Sequence, residues 1–190
     1  MLRAGGVIVY PTDTAYGLGA DATNAQAVEK VFTIKGRKED KPVPVMVGDI
    51  NQAKRYVVFS EDAEKLAQAY WPGALTIVLP TANADLAHIL RGETESGVRV
   101  PGSEWCQSVA YRLGSPVTST SANATGTPPE YSIESVDQSL GKNSELVDLW
   151  IDGGTLQGGP VSTIVRMINR PFEIQREGAI SGADIKKVLE

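Results

Sequence analysis

The sequence predicts a single α/β domain built on a mixed sheet, and three observations carry that prediction. Short β-branched runs alternate with amphipathic stretches from one end of the chain to the other. No repeat, linker or low-complexity segment divides the 190 residues, a length that buries roughly 70% of its unfolded surface as one unit. The apolar content of 42% and charged content of 22% are those of an ordinary globular chain, so residues 1–190 are read as one domain.

Taken in order, Leu2-Arg-Ala-Gly-Gly6 reads as the tail of a helix closed by a glycine cap, which implies a longer helix ahead of it. Val7-Ile-Val-Tyr10 is a buried strand that Pro11 stops, and Thr12-Asp-Thr14 forms a polar elbow at its carboxyl end. A helix capped by Asn24 follows, with Ala27, Val31 and Ile34 on one face. It ends in the cationic loop Lys35-Gly-Arg-Lys-Glu-Asp-Lys41, and residues 43–47 return as a strand. Strand, elbow, helix, cationic loop and strand is the layout of a site that holds an anion at a sheet's carboxyl edge.

Residues 50–58 contain a short helix, and residues 60–71 a stronger one with a serine cap and an acidic first turn. Pro72-Gly73 ends that helix, residues 74–79 form a strand, and residues 80–90 carry no clear period. A short strand at 97–101 has Arg99 in its middle; a helix follows at 105–113. Residues 116–126 open β-prone and pass into the hydroxyl-rich Ser119-Thr-Ser-Ala-Asn123. A helix at 133–140, strands at 149–152, 162–168 and 172–176, and a terminal helix at 183–189 complete the chain.

Composition narrows the chemistry. A net charge of −5 argues against nucleic acid binding by overall attraction, while leaving room for a local patch where Lys35, Arg99 and Arg176 converge. A single cysteine, Cys106, excludes an internal disulfide and a cysteine zinc cage. No His/Asp/Glu cluster has metal-ligand spacing, and the lone His88 gives no support to a Cys-His or Ser-His-Asp mechanism. Without a long apolar run or a signal peptide, a cytoplasmic protein with no membrane contact is expected.

Each polar constellation has two readings. Lys35, Arg37 and Lys41 form either a solvated face beside Glu39 and Asp40 or a grip on phosphate oxygens. Ser119, Ser121 and Asn123 form either a self-satisfied turn or one face of an extended segment aimed at a hydroxylated or phosphorylated ligand. Arg99 within an apolar strand needs an ion pair, for instance with Asp13, or an anionic ligand. Gly153-Gly-Thr-Leu-Gln-Gly-Gly159 lacks the ending of a phosphate-binding P-loop. These residues describe a cleft that works by positioning and charge stabilisation, as phosphoryl and nucleotidyl transfers do.

The ordered series Pro11-Thr-Asp-Thr-Ala-Tyr-Gly-Leu-Gly19, Lys35-Gly-Arg37, Trp71-Pro-Gly-Ala-Leu-Thr76, Val98-Arg-Val-Pro101, Ser119-Thr-Ser-Ala-Asn123, Gly126, Ser162-Thr-Ile164 and Arg176-Glu-Gly-Ala-Ile180 resembles the YrdC/Sua5 family along essentially the whole chain. The resemblance implies a twisted mixed, largely parallel sheet flanked by helices around a concave electropositive cleft. It implies a threonylcarbamoyl-AMP synthase acting on L-threonine, bicarbonate or CO2, and ATP, with Mg2+ expected on the nucleotide. By motif, Thr14, Arg99, Ser119 and Ser162 would hold threonine. Lys35, Arg37, Lys41, Ser121, Asn123 and Arg176 would hold ATP, with Lys35, Arg37 and Arg99 as the catalytic cations. Downstream threonylcarbamoyltransferase proteins that modify tRNA would be the partners. A double-stranded RNA- or tRNA-binding or ribosome-maturation protein without catalysis is the alternative, and a carbamoyl-transfer domain a third. Lys41-Pro42 and Met46 depart from the asparagine-proline and histidine of many relatives, and Met46 cannot donate a hydrogen bond.

Overall fold

A computed structural model describes residues 1–38, 43–82, 85–87, 90 and 94–190. The chain runs β1 (Ile8–Pro11), β2 (Tyr16–Gly19), α1 (Ala25–Lys35), β3 (Val45–Met46), α2 (Ile50–Ala53), α3 (Glu61–Tyr70), β4 (Leu75–Pro80), β5 (Glu95–Arg99), α4 (Glu104–Leu113), β6 (Val117–Thr118), β7 (Thr120–Ser121), α5 (Ile133–Leu140), β8 (Leu149–Trp150), β9 (Thr163–Arg166), β10 (Glu173–Arg176) and α6 (Gly182–Leu189). The predicted caps form: Asn24 accepts from the Ala27 amide and Ser60 from the Ala63 amide. Leu2–Ala4 is a single 3-10 turn closed by Gly5 in the left-handed region. Among the described residues, no helix is long and apolar enough to cross a membrane.

The strands form two mixed sheets, in the orders β7-β2-β1-β8 and β10-β9-β4-β5-β3-β6. The expectation of largely parallel pairing is corrected. β1–β2, β2–β7, β3–β6, β4–β5 and β9–β10 are antiparallel, and only β1–β8, β3–β5 and β4–β9 are parallel. Interleaved helices suggested crossovers, but β1–β2 and β9–β10 are joined by short turns, which permit only antiparallel return.

β2 was not anticipated. The elbow leads back along β1, with Tyr10 opposite Gly17 and Ile8 opposite Gly19, before α1 begins. Two glycines hide the apolar pattern of this strand, and the Tyr10 ring explains them. A Cβ on Gly17 would lie 2.8 Å from Tyr10 Cζ, and one on Gly19 2.7 Å from Cε1. We expect Gly17→Ala to lower stability by about 1–3 kcal/mol through overpacking, read as a lower thermal midpoint. An unchanged midpoint would show that the ring can move aside.

α1 bridges the two sheets. Val28 and Phe32 enter the large core over the six-stranded sheet, whereas Ala27, Val31 and Ile34 enter the core beside β1 and β2. The sheets meet at Thr118, whose hydroxyl donates to Leu18 O (3.1 Å) and accepts from Ala20 N (2.9 Å). From there the chain changes sheets: β6 pairs with β3, β7 pairs with β2, and Ser119 sits at the fork with its amide on Pro44 O (2.7 Å).

Candidate functional site

The divergence of the sheets opens a cleft of about 270 Å3. Its lining includes the elbow (Thr12, Thr14), the end of α1 (Lys35, Arg37), β5 (Arg99), the sheet-changing segment (Ser119, Thr120, Ser121, Asn123), the residue before β9 (Ser162) and the end of β10 (Arg176). Every residue named from the sequence for threonine or ATP lines this cleft except Lys41, which lies outside the described residues, as does His88. Thr120 lines it too. The sequence reading passed over it because strict alternation would turn it away, but the chain changes sheets at Ser119.

Four cations line the cleft and, among the described residues, no carboxylate does. The region is therefore locally electropositive in a chain of net charge −5. The cations feel one another: Arg176 is held below its ordinary pKa by burial and then by Arg99. Lys35 is pushed down to about 7 by burial and then by Arg37.

The elbow is tied by one hydroxyl. Thr12 Oγ1 donates to Ala15 O (2.6 Å) and accepts from the amides of Thr14 (3.0 Å) and Ala15 (3.2 Å). Thr14 is thereby presented to the cleft on a fixed turn, and Asp13 is turned toward Arg99.

Both readings of Arg99 meet in the structure. Its Nη2 donates to Asp13 Oδ1 (2.8 Å), Asp13 Oδ2 (2.7 Å) and Gly73 O (3.2 Å). Its Nε, however, is buried with no partner among the described residues. An orphaned buried donor is costly, and it leaves this cleft-lining guanidinium with hydrogen-bonding capacity that the ion pair does not use.

Lys35 is only 3% exposed. Its Nζ donates to Ser121 O (2.5 Å) and Asn123 O (2.8 Å) and reaches Asn123 Oδ1 at 3.4 Å. Three ammonium hydrogens thus meet three oxygens of the hydroxyl-rich segment. Asn123 Nδ2 continues the network to Ala124 O (3.0 Å) and Thr127 O (2.7 Å). Arg37 follows Gly36, whose left-handed φ of 57° ends α1 and swings the guanidinium toward the cleft.

At the opposite wall, Arg176 donates from Nε (3.1 Å) and Nη2 (2.8 Å) to Ser162 O, and from Nη2 to Ser162 Oγ (3.1 Å). Thr76 Oγ1 stands 3.1 Å from the same hydroxyl. Met46 lies behind the wall, fully buried, where Tyr10 OH approaches its sulfur at 3.5 Å and donates to Thr118 O at 3.1 Å. The cleft thus joins a hydroxyl-lined strip to arginines on two walls, a surface suited to a small polar molecule beside a polyphosphate.

The family profile Sua5_yciO_yrdC, described as "Telomere recombination", matches residues 1–178. Among curated proteins, the threonylcarbamoyl-AMP synthase of Pyrococcus abyssi is 32% identical over 189 residues, covering 99% of this chain and 55% of that protein. The Bacillus subtilis enzyme of the same name is 33% identical over 192 residues, covering 100% of this chain and 54% of the relative. The chain therefore spans about half the length of these two relatives. The threonylcarbamoyl-AMP synthase of Photobacterium profundum is 35% identical over 150 residues, which cover 77% of this chain and 80% of that protein. Among solved structures, P. abyssi Sua5 complexed with L-threonine superposes with a TM-score of 0.90 at 31% identity, covering 99% of this chain and 55% of the other. E. coli YciO superposes with a TM-score of 0.85 at 28% identity, covering 97% and 88%. Matched in sequence along nearly its whole length and in the course of its backbone, the chain belongs to the Sua5/YciO/YrdC family.

Proposed function

We propose that the chain is a threonylcarbamoyl-AMP synthase, converting L-threonine, bicarbonate and ATP to threonylcarbamoyl-AMP, pyrophosphate and water. The observation that carries the reading is the cleft: four cations and a strip of hydroxyls, with no carboxylate among its described lining residues. Relatives bearing that enzyme name match this chain over its full length, and a threonine complex of one of them shares the fold.

Bicarbonate sheds hydroxide to give CO2; threonine's amine bonds to the CO2 carbon as a carbamate, and the proton it gives up joins that hydroxide as water. A carbamate oxygen then attacks the α-phosphorus of ATP; the new P–O bond forms as the bond to the bridging oxygen breaks, and pyrophosphate leaves. The residues need only orient the reactants and stabilise charge that grows on the phosphoryl oxygens. Arg99, with its unpartnered Nε, Thr14, Ser119 and Ser162 take the threonine carbamate. Arg37, Arg176, Ser121 and Asn123 take the nucleotide, and Lys41 is assigned to it on the motif alone. The described lining offers no carboxylate for a metal cage, so Mg2+ is taken to arrive with ATP as part of the substrate. The product is a reactive mixed anhydride, which tRNA-modifying threonylcarbamoyltransferase proteins would consume by transfer to an amine.

Pyrophosphate release from ATP tests this, with threonine, serine, valine or no amino acid supplied in parallel, with and without bicarbonate. Release that requires both threonine and bicarbonate is the expected result. Serine should be disfavoured by about 1–3 kcal/mol, the worth of one methyl in a pocket. A folded protein that releases no pyrophosphate would overturn the reading.

A further inference from the structure

Thr163 lies in the cleft-forming series but outside the cleft itself. It is fully buried, and its hydroxyl is used to capacity. Oγ1 donates to Ile180 O (2.6 Å) and accepts from the amides of Gly178 (2.9 Å) and Ile180 (3.0 Å). All three bonds pin a turn that begins two residues after Arg176.

The same turn is pressed onto residues 161 and 162. Ala179 N donates to Val161 O at 2.9 Å, and a Cβ on Gly178 would stand 2.1 Å from Val161 O and 2.8 Å from the Ser162 carbonyl carbon. Only a glycine permits this approach. Just before the turn, the β9–β10 ladder shifts register between Ile174 and Arg176, leaving Arg176 opposite Ile164. From there Arg176 folds back onto Ser162 through three hydrogen bonds. Residues 161–164 and 176–180 therefore form one interlocked unit with the Thr163 hydroxyl at its centre.

We infer that Thr163 is a positioning residue that sets Ser162 and Arg176 together, coupling the amino-acid and nucleotide ends of the cleft without touching either ligand. The inference rests on the synthase reading, which assigns Ser162 to threonine and Arg176 to ATP. Its distinctive consequence is that one buried side chain governs affinity for both substrates at once. A misplaced cleft group loses binding far out of proportion to its displacement.

The test compares Thr163→Val, similar in shape but without the hydroxyl, with Thr163→Ser, which keeps it. Thr163→Val is expected to raise KM for threonine and for ATP together, each on the order of tenfold. Thr163→Ser is expected to restore both to within about twofold of wild type. A purely structural role would lower the thermal midpoint and leave both KM values alone, and that result in a folded Thr163→Val protein overturns the inference. Should Thr163→Val fail to fold, Thr163→Ala, which removes the same hydroxyl without adding a methyl against the Gly178 and Ile180 amides, takes its place and must shift both KM values. Calorimetric titration of ATP and of threonine separates this inference from the function. Wild-type binding without turnover sinks the synthase reading alone, and equal affinities in wild type and Thr163→Val sink the inference alone. A wild-type protein that binds neither ligand sinks both.

Discussion

Replacing Arg99 by alanine is expected to lower threonine-dependent pyrophosphate release by about 10²–10³-fold, the usual loss when a preorganised donor to developing charge is removed. The expectation comes from how the guanidinium is divided. Nη2 is committed to Asp13 and Gly73, whereas Nε is buried and makes no hydrogen bond among the described residues, so the ion pair leaves donor capacity unused. The substitution has a second effect, because it strands the Asp13 carboxylate. That side chain is 20% exposed, so water recovers part of the loss. Destabilisation should fall below the roughly 3–5 kcal/mol typical of a fully buried broken pair. The two effects separate in a double variant. Adding Asp13→Asn to Arg99→Ala should restore much of the denaturation midpoint and none of the activity. Arg99→Ala with near-normal activity would show that this arginine is structural and that another group holds the anion.

Local signals in this chain proved legible where the chemistry is local. Asn24 and Ser60 announce their helices because a side-chain oxygen must reach an amide three residues on, and both do. The cleft-lining residues were legible for a different reason: the family resemblance, not local pattern, drew Thr14, Lys35, Arg37, Arg99, Ser119, Ser121, Asn123, Ser162 and Arg176 together, and all nine line one cleft. On local pattern alone only Arg99, a charge within an apolar strand, lacked an inexpensive structural use.

Long-range pairing was not legible. β2 reads as a loop because Gly17 and Gly19 interrupt its pattern, and those glycines make sense only once Tyr10 lies across them. Nor does Ser119-Thr-Ser announce that the chain changes sheets there, since β6 and β7 are two residues each and take their identity from β3 and β2. Arg99 illustrates the remaining limit. Its sequence setting demanded either an acid or a ligand, and nothing local could say that one guanidinium would serve Asp13 with one nitrogen and leave another open.

Lys35→Met should remove a clamp together with a proton-binding site, and the pH dependence tells these apart. In the native state Lys35 is held down to about 7, chiefly by burial and then by Arg37. Its ordinary value in an unfolded chain is about 10.4. Below pH 7 both states carry the proton, and the folded state bears the full desolvation of the ammonium. Between pH 7 and about 10.4 the unfolded state keeps a proton that the folded state has released. Stability contributed by this group therefore rises with pH, by at most about 1.4 kcal/mol per pH unit. Lys35→Met should lack that rise, which denaturation midpoints measured at pH 6 and pH 9 would show; parallel profiles in the two proteins would refute the assignment. A polyanion in the cleft works in the opposite direction, favouring the ammonium and its third contact, to Asn123 Oδ1 at 3.4 Å. ATP binding at pH 8 should consequently take up a fraction of a proton in wild type and less in Lys35→Met. Titration calorimetry in two buffers of different ionisation enthalpy reads that uptake directly. Equal uptake in both proteins would move the proton to another group and leave Lys35 as a clamp only. Loss of the clamp should itself raise KM for ATP by about tenfold, because Ser121 and Asn123 lose the ammonium that holds their carbonyls.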